Sequence, residues 1–151
     1  QNLDWVIASI HSSTLLTKEA PTVEAAPTPG CKSPRSRVCV IGHCGQPKFK
    51  FDYERVIPEF GRGGKLVEIN NNSFHVRRDA VINCREIALL CKKHGVRVIV
   101  NTDSHFATQV GHAGLALKML DEIGFPEELV VNSSVERFRQ YLKERNIHLE
   151  D

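Results

Sequence analysis

The chain has 151 residues, long enough for one domain with a substantial core and too short for two comfortable ones. Hydrophobic residues make up 41% and charged residues 25%, the balance of a soluble globular domain. With 20 Lys and Arg against 18 Asp and Glu, the formal charge of +2 is too small and too evenly spread to argue for nucleic acid or a membrane surface.

No apolar run approaches a membrane span. The opening residues, QNLDWVIASIHSS, lack the basic start and apolar middle of a signal peptide. The chain does not begin with Met and opens nearly inside a strand, so it reads as the rear part of something longer. Its five cysteines are Cys31, Cys39, Cys44, Cys84 and Cys91. An odd count without CxxC pairs argues against a disulfide framework and a zinc finger. Cys39, Cys84 and Cys91 fall on apolar faces and are expected in the core, and the reducing cytoplasm is the expected compartment.

In chain order, LDWVIASI reads as a strand ending near His11. Residues 14–36 then carry Pro21, Pro27, Pro29 and Pro34 with Gly30, an irregular Pro-rich stretch where parallel strands would need a crossover helix. From Arg37 the chain alternates. Arg37 to Gly42 predicts a strand; Tyr53 to Phe60 predicts a short helix, perturbed by Pro58 and ended by GRGG; Lys65 to Ile69 predicts a strand. Asp79 is the expected N-cap of a helix to His94, with Ala80, Cys84, Ile87, Ala88 and Cys91 on its buried face and Gly95 as C-cap. Val96 to Val100 predicts a strand. A further helix carries Leu115, Ala116, Met119, Leu120 and Ile123 on one face. ELVVN is expected as a short last strand, and Ser133 to Glu136 as the capping box of a closing helix that reaches about Arg145.

Short apolar strands alternating with amphipathic helices make this an α/β protein of parallel β/α units, either barrel or open sheet. In such folds the strand C-terminal ends share one rim, where catalytic residues gather. The predicted strands are followed by His11, by His43 and Cys44, by Asn70 to Asn72, by Asn101, Asp103 and His105, and by Asn132 and Ser133. His11, His43, Asp103 and His105 should therefore converge, and imidazole and carboxylate are donors for Zn²⁺, Mn²⁺ or Fe²⁺. One histidine after a strand is usually just a loop residue; three plus an aspartate at matching positions weigh against that. Cys44 reads as a soft ligand or, better, a buried thiol. Arg77 and Arg78 read equally as a phosphate clamp or as a solvated charge pair before a helix.

IASIH, VIGHCGQPKF, VEINNNSF, NCREIALLCKKHG and VNTDSH, in that order, resemble the polymerase and histidinol phosphatase (PHP) family, and within it the small stand-alone bacterial phosphatases. The resemblance runs from about Asp4 to Tyr141, apart from the Pro-rich stretch. It implies that residues 1–151 are a partial PHP domain, the C-terminal part of a distorted TIM-like (β/α)7 barrel. It implies two or three divalent metal ions at the strand-end rim of the intact protein, and hydrolysis of small phosphorylated substrates by a metal-activated water. By position, His11, His43, Asp103 and His105 match family metal ligands, with Asp103 and His105 also at the catalytic centre. Glu68 and Asn70 match the EIN signature lining the site, with Asn70 and Arg77 as candidate substrate contacts.

The chain departs from the family pattern at its start. The His-x-His strand, a further His and a bridging Glu that the family carries are not in it. The resemblance thus implies a fragment, inactive or weakly active alone, with exposed sheet edges open to self-association. The Pro-rich segment has the length of a family helix with unrelated composition, as a locally shifted reading frame would leave it. Two alternatives stand beside this reading: a PHP module serving a DNA polymerase, and a non-catalytic remnant acting in assembly.

Overall fold

The computed structural model describes residues 5–9, 38–76 and 78–147. His11, Arg77 and the Pro-rich segment 14–36 lie outside the described residues. Among those described, four strands, β1 (Val6–Ala8), β2 (Val38–Ile41), β3 (Leu66–Asn70) and β4 (Val98–Asn101), form one parallel sheet in the order β1-β2-β3-β4. Every residue of β3 is buried, as befits a central parallel strand covered on both faces. The β3 and β4 strands end one residue later than their apolar runs predict. The shift draws Asn70 and Asn101 into the ladder as direct partners.

Among the described residues, five α-helices follow the strands: α1 (Tyr53–Arg62), α2 (Asn72–Val76), α3 (Arg78–His94), α4 (Gly114–Glu122) and α5 (Val135–Glu144). Asp52 caps α1, its carboxylate accepting the Arg55 N–H at 3.1 Å. Helix α1 runs past the expected stop and through Gly61. A Cβ there would meet Val96 Cγ2 at 2.8 Å, so the glycine lets α1 lie against the segment entering β4. Helix α2 was not predicted. Asp79 is not the cap of α3 but sits in its first turn, where a carboxylate still complements the helix dipole. Gly95 is the expected left-handed C-cap (φ +64°), with the Val96 N–H returning to the Cys91 carbonyl at 2.9 Å.

Alternation along β3 and β4 divides the core into two layers, whereas Cys39 and Val40, consecutive on β2, share one of them. Ile41, Val67, Ile69, Val98 and Val100 pack with Val56, Ile57 and Phe60 of α1, Ile87 and Cys91 of α3, and Ala116 and Met119 of α4. Cys39, Val40, Leu66 and Ile99 pack on the other side with Val131 and with Tyr141 of α5. Cys39, Cys84 and Cys91 are buried as predicted, whereas Leu115 is exposed and leaves the face of α4 to its neighbours. Tyr141 anchors the second layer. Its hydroxyl donates to the Gly64 carbonyl at 3.0 Å, and Trp5 meets its ring edge-on at 6.0 Å.

The expected strand ELVVN is not a strand. Glu127–Leu129 and Val131–Ser133 form 3-10 turns, and only Val130 makes a ladder contact, an isolated parallel bridge to Val98. Asn132 supplies the rest of the pairing from its side chain. Its amide accepts the Val100 N–H at 3.0 Å and donates to the Val100 carbonyl at 2.7 Å, a substitute for a neighbouring strand. The closing-helix cap also moves by one residue. Ser134 accepts the Arg137 N–H at 3.2 Å, while Ser133 donates to the Val130 carbonyl at 2.9 Å, so the Ser133–Glu136 box does not form. If Asn132 completes the β4 edge, Asn132→Ala costs about 1 kcal/mol in urea unfolding and speeds hydrogen exchange at the Val100 amide. Unchanged exchange at Val100 would contradict that role.

Candidate functional site

All four strands point the same way, so their C-terminal ends lie on one rim. The side chain that links them is Glu68, on β3 and only 8% exposed. Its Oε2 accepts the main-chain N–H of His43 at 2.6 Å, and the Asn70 amide lies 3.4 Å from the same oxygen. Its Oε1 accepts the Asn101 amide at 2.8 Å. One carboxylate therefore joins the ends of β2, β3 and β4.

The asparagine run after Glu68 divides its labour. Asn70, 2% exposed, turns its carbonyl to the Ser73 N–H at 3.0 Å and the Ser73 hydroxyl at 3.2 Å, starting α2. Asn71 reaches across to the β4–α4 connection. Its side-chain oxygen accepts the Ala116 N–H at 2.9 Å and its nitrogen donates to the His112 carbonyl at 2.9 Å. Ala113 gives α4 no side-chain cap, so Asn71 caps that helix from the turn after β3. The Asn72 amide lies 3.4 Å from Asp103 Oδ2.

Two candidate ligands share a backbone peculiarity. His43 has φ +31° and Asp103 φ +51°, a left-handed region that L-residues with side chains seldom occupy and that costs of order 1–3 kcal/mol. Such positions persist only where the surroundings hold them. Behind His43, Gly45 packs so closely on α3 that a Cβ would sit 2.7 Å from Cys84 Sγ, and the buried Asn83 amide donates to the Gly45 carbonyl at 3.1 Å. The Gln46 amide donates to His43 Nδ1 at 2.7 Å. At the other end, His105 Nδ1 is 2.8 Å from the Asp103 carbonyl, which can only accept. In the neutral ring this contact places the proton on Nδ1 and leaves the lone pair on Nε2, the tautomer of a metal-binding imidazole. Asp103 and His105 are exposed.

Burial foremost raises the Cys44 thiol well above its ordinary pKa, with the Cys91, Cys84 and Glu68 groups acting in the same direction. That favours the buried-thiol reading over a thiolate ligand. A small apolar cavity of about 40 Å³ lies beside it, between Ile41, His43, Phe49 and Phe60. Among the described residues, no three His, Cys, Asp or Glu side chains stand together closely enough to hold a metal ion. His43 and Asp103 with His105 follow β2 and β4, the two strands that flank β3. His11 and Arg77 lie outside the described residues. Sequence reasoning placed Asn71 at the rim without its capping role and missed Asn83 and Gln46, because amides that brace a loop leave no periodic signal.

No family model matches the chain. It is similar to proteins named "Probable phosphatase" over almost its whole length. In Acetivibrio thermocellus the identity is 39% over 145 residues, 96% of this chain and 59% of the relative. In Caldicellulosiruptor saccharolyticus it is 37% over 146 residues, 93% and 58%. In Caldanaerobacter subterraneus subsp. tengcongensis it is 41% over 149 residues, 96% and 57%. The chain thus spans a little under three-fifths of the length of the curated relatives it matches. No helix among the described residues is long and apolar enough to cross a membrane.

The backbone at His43 gives a direct test. Glycine takes a positive φ freely, so His43→Gly should be more stable than His43→Ala by about 1 kcal/mol, reversing the usual order. Urea unfolding of the two variants decides; an alanine variant at least as stable as the glycine one would show that the turn carries no strain.

Proposed function

We propose that this chain is the rear part of a metal-dependent phosphoesterase of the PHP family, acting on small phosphate monoesters. The observation that carries the reading is the similarity to proteins named "Probable phosphatase" at 37–41% identity over 93–96% of the chain. The strand-end rim gives that similarity a chemical location. The strand order supports a barrel segment: four parallel strands in sequential order have no point at which the winding reverses, as a singly wound barrel requires.

The donor chemistry suits Zn²⁺, Mn²⁺ or Fe²⁺: His105 offers an imidazole Nε2 and Asp103 a carboxylate, while His43, whose Nδ1 accepts from the Gln46 amide, would ligate only once that contact is released. The number of donors does not. The described residues bring no set of three together, so a complete centre of two or three ions would also draw on His11 and on ligands in the length the relatives have beyond this chain. Divalent ions held there would supply a water acidic enough to attack near neutral pH and positive charge against the phosphoryl oxygens.

The chain's own residues would do the following. His105, with Nδ1–H held by the Asp103 carbonyl, presents Nε2 as a donor. Asn72 steadies the Asp103 carboxylate. Asn70 keeps Glu68 and the first turn of α2 in place beside the substrate, and Arg77 would bind phosphate oxygens. Cys39, Cys44, Cys84 and Cys91 are in no disulfide, as a reducing compartment would keep them.

A second reading, a non-catalytic assembly module, is favoured by the lack of a three-donor set among the described residues. Hydrolysis of p-nitrophenyl phosphate by the chain completed to its relatives' full length, where the remaining ligands would be present, separates the two. A phosphoesterase loses activity to a chelator, regains it with Zn²⁺ or Mn²⁺, and drops by about a hundredfold in Asp103→Ala or His105→Ala. Turnover indifferent to chelation and to both substitutions would contradict the proposal; no turnover at all would favour the assembly module.

A further inference from the structure

We propose that Glu68 is the positioning residue of this site, holding the His43 turn and the Asp103–His105 loop in one fixed relation. The inference rests on the reading above for what the two loops do. Its geometric content stands independently.

Glu68 is the one acidic side chain among the buried polar residues described, which also include Lys65, Asn70, Asn71, Ser73 and Asn83. A buried carboxylate is costly unless its oxygens are satisfied. Among the described residues no cation pairs with it. Its partners are dipoles: the His43 main chain at 2.6 Å, the Asn101 amide at 2.8 Å and the Asn70 amide at 3.4 Å. Charged acceptors make shorter and stronger bonds than neutral ones, and the shortest of these is spent on a residue with a left-handed backbone. On the other side, Asn101 lies two residues before Asp103, and its carbonyl also accepts the Asn71 N–H at 2.8 Å. The carboxylate therefore spans β3 and couples two candidate ligand segments that do not adjoin one another.

A merely structural carboxylate and a positioning one differ in what its loss disturbs. Glu68→Leu spares the cost of burying a charge but leaves the His43 N–H and the Asn101 amide without their acceptor. It should therefore lower the melting temperature by about a few degrees and, well below that temperature, free the His43 turn. The His43 amide should exchange with deuterium about tenfold faster. Zn²⁺, titrated alone into the full chain, should bind about tenfold or more weakly. Glu68→Gln keeps an oxygen for the His43 N–H, and the Asn101 amide can turn to accept from it, so this variant should restore slow exchange and most of the Zn²⁺ affinity. Should Glu68→Leu fail to fold, the wild-type amide still decides, because the proposal requires His43 to be protected far beyond Gln46 and Lys48 in the same loop. Exchange at His43 as fast as its loop neighbours, or unchanged in Glu68→Leu, overturns the proposal. A chain that takes up no Zn²⁺ with or without Glu68 removes the metal reading under the proposed function, and the exchange result alone then decides the positioning role.

Discussion

A carboxylate in the middle of a buried parallel strand must have its oxygens met, and at Glu68 they are met by groups from three strand ends. Much of the rim follows from that requirement. The β2 strand must end so that the His43 N–H points inward, which needs a left-handed residue there. The β4 strand must reach Asn101 before it turns, so that the amide faces the same oxygen pair. A one-residue slip of β4 would turn the Asn101 amide to the helix-covered face, and a slip of β2 would carry the His43 N–H out of reach, leaving the carboxylate oxygens short of donors. The apolar layers set the sheet; the buried charge sets where its strands stop.

A second group of amides fastens the loops to the helices. Asn71 caps α4 from the turn after β3, Asn83 of α3 holds the turn after His43, and Asn132 completes the outer edge of β4. Each meets main-chain groups that would otherwise lie beyond the reach of regular secondary structure. The loops that carry Asp103 and His105 are thereby tied to rigid elements, although the two side chains themselves are exposed. That combination, a braced backbone with open side chains, suits a site that must receive a ligand.

Elements with strong periodicity were legible in the sequence. The faces of α3 and most of α4, the four parallel strands and the Gly95 cap follow directly from apolar spacing and glycine placement. Elements decided by single polar atoms were not. ELVVN has the composition of a strand, but the Asn132 amide satisfies Val100 from a turn, so no full ladder forms. Ser133 and Ser134 are both competent caps, and only the path from Val130 decides between them. Among the candidate site residues, sequence spacing placed His43, Asp103 and His105 at strand ends. It could not show that β3 stands between them, nor that Glu68 bridges the gap.

We propose that the rim around Glu68 is where this chain would meet a divalent ion and, through it, a phosphate ester. Paramagnetic broadening by substoichiometric Mn²⁺ in an amide NMR spectrum of the chain tests it most directly. Broadening confined to the residues around His43, Asp103 and His105 is the predicted result. Broadening centred elsewhere, or spread evenly over exposed carboxylates such as Glu127 and Glu136, would contradict it.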